Sequence, residues 1–293
     1  LILTIITIKA RKSTKVAYGD EGNKELINKI GFGCVSLTDA SSKRKAVKRL
    51  RLVHELGVNW FDTAPLYGKG YSEKILGSFL SELPSFERDK VQVVTKFGLG
   101  HEKHVNLPVD LALILNRLKN RFLHKGNNLS NPINKKYIFN ERIITLDQLQ
   151  QAFFNSQKNL RTEVIYGYLA HECIFNFLTD EAKSFLYNLK SQGGIKKIGI
   201  GSNSTSILHY NKFMIKSNID LLQYNGNDFT DIKKIQELFP DAEHIHYGIY
   251  SNSLDDLKVI NPLKSHLDLF PNVRVLFSSK SLKNIRFNIN YLQ

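Results

Sequence analysis

Two cysteines in 293 residues are too few for a disulfide framework or a cysteine-rich zinc site. Cys34 and Cys173 read instead as buried apolar fillers in a reducing, cytoplasmic compartment. No apolar run reaches the ~18 residues of a membrane-spanning helix. Residues 1–8 are apolar, but no basic residues precede them and no small-residue cleavage pattern follows, so no secretory signal is expected. Zinc-finger, RNP and basic-zipper patterns are missing too. The formal charge of +14 is spread along the chain. It excludes no enzyme class, gives no nucleic-acid footprint, and suits an anionic cofactor or substrate. Nothing in the chain asks for a metal, and its oligomeric state is left open.

No linker divides the chain. Strand-like and helix-like segments alternate instead, with strands expected at 29–35, 58–61, 91–97, 164–170, 195–201, 219–223, 244–249 and 273–277. Helices are expected at 41–56, 72–80, 111–122, 147–160, 180–189, 205–215, 231–238, 254–269 (interrupted by Pro262) and 282–291. Ser72 reads as the N-cap of the second helix. Eight strand–helix units over a chain of this length predict an α/β fold, a single-domain (β/α)8 TIM barrel spanning 29–293 after an irregular segment 1–28. The stretch 101–145 reads as an insertion, with a basic loop at 124–136. A doubly wound sheet would need G-x-G-x-x-G after the first strand. Here Gly31 and Gly33 are followed by Ser36, so the third glycine is missing.

The passage GVNWFDTAPLYGKGYSEKILGSFL, residues 57–80, carries the strongest chemical signal. Asp62 closes a short apolar strand and Tyr67 lies on the loop beyond it. Lys96, in VVTKFG, ends the third strand, and His171, in YLAHE, ends the fourth. In a parallel barrel these strand ends share one mouth. Such a set suits carbonyl reduction. A tyrosine hydroxyl can protonate the carbonyl oxygen, but its free pKa near ~10 makes it a reluctant acid–base group. A neighbouring ammonium lowers that pKa, and a carboxylate holds the ammonium charged and oriented. A histidine can hydrogen-bond the substrate oxygen or relay the proton. Taken singly, each residue has a structural reading: a loop tie, a packing ring, a snorkelling lysine, a satisfied core histidine.

Together Asp62, Tyr67, Lys96 and His171 resemble the Asp–Tyr–Lys–His tetrad of the aldo/keto reductase family. Residues 62–77 are similar to its bacterial sugar-oxidising branch, which includes aldose and fucose dehydrogenases. The resemblance implies an NAD(P)-dependent oxidoreductase that interconverts an aldehyde or ketone, a sugar-derived metabolite included, with its alcohol. It also implies cofactor contacts. GIKKIGIGSNS, residues 194–204, is similar to the family's G-x-I-x-x-x-G-x-S-N and puts Ser202 and Asn203 on the nicotinamide carboxamide. Gln223, in QYN, falls on the same carboxamide, and Tyr247 on the face of the ring.

The C-terminal FSSKSLKNIRFNI resembles the adenosine-phosphate segment, with Ser279, Lys280, Asn284 and Asn288 at its contact positions. Ser278 stands where many members have glycine, and Asn284 where many NADP-specific members have arginine. The expected cofactor is therefore NADP or NAD, with NADP slightly favoured. Tyr166 replaces a common aspartate, five residues before His171. Two alternatives stay open: a cofactor-binding regulatory subunit, and a degenerate barrel without catalysis.

Overall fold

Strand β1 (Ile30–Gly33) pairs in parallel with β2 (Trp60–Asp62), and the pattern continues round the molecule. β3 (Gln92–Phe97), β4 (Ile165–His171), β5 (Ile195–Gly201), β6 (Leu221–Asn225), β7 (Glu243–Tyr247) and β8 (Val273–Phe277) follow in order. β8 returns to β1, so the sheet is a closed eight-stranded barrel. This computed structural model describes residues 25–99, 107–123, 142–249 and 261–293. The loop expected at 124–136 and residues 1–24 lie outside the described residues, and 25–28, expected to be irregular, form a helical turn that leads into β1.

The helices are α1 (Lys43–Glu55), α2 (Tyr71–Leu80), the single turn α3 (Ser85–Arg88), α4 (Val109–Leu123), α5 (Leu146–Leu160), α6 (Asp180–Ser191), α7 (Ser204–Tyr210), α8 (Phe229–Leu238), α9 (Pro262–Leu269) and α10 (Leu282–Asn290). Their starts are set by local chemistry. Ser42, Thr145, Thr179, Asp228 and Ser281 each accept a backbone N–H of the first turn, worth about 1 kcal/mol per cap. Thr145 and Gln148 complete a reciprocal capping box.

Two apolar layers hold the barrel. Trp60, Val94, Leu169, Leu221, Ile245 and Leu276 fill its interior. Phe32, Phe61, Phe97, Tyr168 and Phe277 face outward into the shell beneath the helices. Arg274 lies 3.9 Å from the Trp60 ring and bonds Glu243 at 3.1 Å, so charged groups occupy the N-terminal end of the barrel. Helix α2 approaches α5 so closely that a Cβ on Gly77 would meet the Asn159 carbonyl at 2.1 Å.

Several boundaries differ from the sequence expectation. β1 stops at Gly33, because Cys34–Asp39 winds into a 3-10 turn. Ser72 does not cap α2. Residues 68–70 take three successive positive φ angles, of 56°, 57° and 80°. That left-handed turn makes Gly70 the cap and carries Ser72 inside the helix. Its buried hydroxyl donates to the Cys34 carbonyl at 2.9 Å and accepts from Thr63 at 3.0 Å. Helix α7 ends at Tyr210 and passes into a 3-10 turn, Asn211–Phe213. Pro262 does not interrupt a helix but begins α9, where its missing N–H costs nothing. Residues 250–260 lie outside the described set.

Candidate active site

Register brings the strand-end residues together. Asp62 is level with Gly33 and Val94, Lys96 with Leu169, His171 with Gly201, Gly201 with Gln223, and Asn225 with Tyr247. Asp62, Tyr67, Lys96, His171, Ser202, Gln223 and Tyr247 all line one cavity of about 370 Å³ at the C-terminal end of the barrel.

Its centre is an ion pair removed from solvent. The Lys96 ammonium lies 2.8 Å from each Asp62 oxygen and donates to the Thr63 carbonyl at 2.9 Å. The Tyr67 hydroxyl is 3.5 Å from the same ammonium. Burial works against the lysine charge, but Asp62 and Tyr67 outweigh it and hold the Lys96 pKa above its ordinary value. Burial pushes the Asp62 carboxyl up, against donors from Lys96 and Gln223.

Tyr67 departs from the simple expectation. Lys96 does pull its pKa down, yet burial is the larger cause and the net direction is up. The resting phenol is therefore protonated. His171 stands edge-on to Tyr67, with ring centroids 6.3 Å apart. Burial, and then the Lys96 charge, lower its pKa to about 3. Its imidazole is neutral at ordinary pH, which suits a hydrogen-bonding group rather than an imidazolium acid.

Gln223 donates Nε2–H to Asp62 at 2.9 Å. Its Oε1 is buried and takes no bond from the described residues. Gly201 leaves room for this side chain, since a Cβ there would lie 3.1 Å from that oxygen. The Ser202 hydroxyl donates to Glu172, and Tyr247 donates to the Ser202 carbonyl at 3.2 Å.

Other assigned residues sit elsewhere. The Asn203 side chain caps α7, accepting from Ser206 N at 2.9 Å, and does not line the cavity. Ser279 bonds the backbone of Ser281. Lys280 pairs with Asp39 at 2.6 Å. Asn284 is exposed beside the Ser281 cap, and the Asn288 carbonyl accepts from Asn261. Ser278, level with the cavity rim, shares a 2.9 Å hydrogen bond with Ser36. Glu172 was not singled out from sequence. Its place directly after His171 at a strand end was the available signal. Tyr166 packs edge-on against Trp60 at 5.0 Å, away from these groups.

Among the described residues no cluster of His, Cys, Asp and Glu could hold a metal ion, and no helix is long and apolar enough to cross a membrane.

A closed parallel barrel with an Asp–Tyr–Lys–His group at its C-terminal mouth defines a class. The aldo/keto reductase family model matches residues 29–250, and the chain belongs to that family. Among its relatives, the NADH-specific methylglyoxal reductase of Escherichia coli is 29% identical over 58% of this chain and 44% of its own length. The D-threo-aldose 1-dehydrogenase of a Pseudomonas species is 27% identical over 67% of this chain and 56% of its own. The chain thus spans about half the length of these curated relatives. An aldo-keto reductase from Klebsiella pneumoniae, solved in complex with NADPH, shares the fold with a TM-score of 0.57 at 16% identity, over 90% of this chain and 84% of that one.

Proposed function

We propose that the chain is an NAD(P)-dependent oxidoreductase that interconverts a small aldehyde or ketone with its alcohol. The observation that carries this reading is the buried Asp62–Lys96 pair, with Tyr67 3.5 Å from the ammonium at the floor of an open cavity.

The donor set fits a nicotinamide carboxamide. The Ser202 hydroxyl hydrogen is committed to Glu172, so its oxygen presents lone pairs. Gln223 Nε2 is committed to Asp62, so its orphaned Oε1 presents lone pairs as well. Two acceptors on one cavity wall call for an amino group with two N–H donors. Ser202 and Gln223 would hold that end, and Tyr247 would lie against the ring. Asn203 contributes by fixing the start of α7 beside them.

When bound, the reduced cofactor supplies the hydride. The protein manages the oxygen. His171, neutral, donates a hydrogen bond that seats the carbonyl oxygen beside Tyr67. The Tyr67 O–H gives up its proton as negative charge develops there. Lys96 stabilises the phenolate left behind, and Asp62 keeps Lys96 charged and in place. In the oxidative direction the same phenolate accepts the alcohol proton.

The likeness to an aldose dehydrogenase supports a sugar or sugar-derived substrate. Two buried free thiols support a cytoplasmic location. The complete polar group favours catalysis over a regulatory role. Fluorescence titration of NADH and NADPH against the protein, followed by turnover of glyceraldehyde, tests the reading. Cofactor binding without turnover of any aldehyde would leave the regulatory alternative standing, and absence of binding would leave the degenerate barrel.

A further inference from the structure

Three charged side chains line the cavity among the described residues: Asp62, Lys96 and Glu172. The first two neutralise each other at 2.8 Å. His171 carries no charge at neutral pH. Among the described residues, Glu172 is therefore the one charged side chain lining the cavity with no counter-charge beside it, within a chain whose net charge is +14.

Its position is built. Glu172 follows His171 directly, is half-buried, and its amide donates to the Gly201 carbonyl at 2.9 Å. Its backbone takes φ 51°, a left-handed conformation that a glutamate adopts at a cost. Outliers of this kind persist where the surroundings fix them, and they gather at binding sites. The chain turns left-handed immediately after the strand. The side chain is held at the cavity wall, with one oxygen 2.5 Å from the Ser202 hydroxyl. Its other oxygen takes no bond from the described residues.

We propose that Glu172 is a specificity-determining residue that excludes carbonyl substrates bearing a carboxylate or phosphate and selects neutral, hydroxyl-bearing ones. The proposal rests on the reductase reading above. An anionic substrate tail entering the cavity meets a half-buried carboxylate with no counter-ion among the described residues, where like charges repel more strongly than in bulk water. A hydroxyl next to the carbonyl instead finds an acceptor with a free lone pair.

The test compares glyceraldehyde with 4-oxobutanoate, each with saturating NADH or NADPH, in wild type and in Glu172→Gln. The readout is the ratio of the two kcat/KM values, so any general loss cancels. Glu172→Asn is the second variant, because asparagine tolerates the left-handed backbone. The wild-type ratio should favour glyceraldehyde, and removing the charge should lower it at least fivefold in either variant. A ratio that moves less than fivefold overturns the proposal while leaving the reductase reading intact. Binding of neither cofactor and turnover of neither aldehyde by wild type overturn both.

Discussion

Lys96 grips both oxygens of Asp62 at 2.8 Å and leaves Tyr67 at 3.5 Å, the longest hydrogen bond its ammonium makes among the described residues. The lysine is anchored by the carboxylate and turned toward the phenol. Removing it should therefore do two things. Lys96 is the cause that lowers the Tyr67 pKa against burial. In Lys96→Met the rising limb of the oxidation pH–rate profile, set by the phenolate base, should move up by about one unit or more, with a large loss of rate. The variant also leaves Asp62 buried without its counter-charge, at a cost of about 3–5 kcal/mol. Denaturant titration should show that loss, and Asp62→Asn added to Lys96→Met should recover part of it. An unshifted profile with retained rate would make Lys96 structural only.

Tyr67→Phe removes the hydroxyl and keeps the ring against His171. Reduction should fall by roughly 10²–10⁴-fold, the usual worth of a positioned general acid. Dissociation constants for NADH and NADPH should stay within about threefold, since the carboxamide contacts do not involve this hydroxyl. Steady-state kinetics beside fluorescence titration measure both. Activity within a few-fold of wild type would remove Tyr67 from the acid role.

Much of this was legible in the sequence, and for a physical reason. Parallel barrel strands are short apolar runs, and chemistry falls where they end, so Asp62, Lys96 and His171 announce themselves by position. What depends on contacts across elements was not legible. The left-handed turn at 68–70 moved Ser72 from a cap to a buried latch between strand ends. The serine–asparagine pair at 202–203 reads as one unit, yet the chain splits it: Ser202 faces the cavity and Asn203 caps a helix. Asp39 meets Lys280 from the opposite end of the chain.

A second pair invisible in sequence sets a pH dependence. His246 and His266, 20 residues apart, are both buried and share a 2.8 Å hydrogen bond between ring nitrogens, and the other His246 nitrogen has no partner among the described residues. Burial, with the neighbouring histidines adding, lowers the His246 pKa well below its ordinary value, and burial lowers that of His266 to about 4. Both folded-state values lie below the unfolded one, so the unfolded chain takes up protons first as pH falls. Stability is fully present above about pH 6.5 and is lost progressively toward pH 4. Thermal melts from pH 7.5 to 4.5 should show this slope. The double variant His246→Leu/His266→Phe should reduce it, while His171 and His244, whose pKa values burial also lowers, keep part of the slope. An equal slope in the double variant would assign the acid sensitivity to other groups.

We propose that cofactor choice turns on the Lys280–Asp39 pair. NADP differs from NAD by a 2′-phosphate, which requires local positive charge, and the resemblance of residues 277–289 to an adenosine-phosphate segment leads us to propose Lys280 as its contact. Here its ammonium already faces a carboxylate at 2.6 Å. Asn284 offers no guanidinium fork beside it, so Lys280 acts as a point charge that Asp39 partly cancels. The pair is largely exposed, with the lysine side chain at 66%, so the effect is modest. Both cofactors should bind with affinities within about tenfold of each other, roughly 1.4 kcal/mol. Asp39→Asn should free Lys280 and tighten NADP several-fold while leaving NAD within about twofold. Lys280→Ala should weaken NADP more than NAD. Dissociation constants for both cofactors across the three proteins decide the matter. Parallel changes for NAD and NADP would show that this pair does not touch the 2′-phosphate, and a wild-type preference of several hundredfold would mean that another residue reads it.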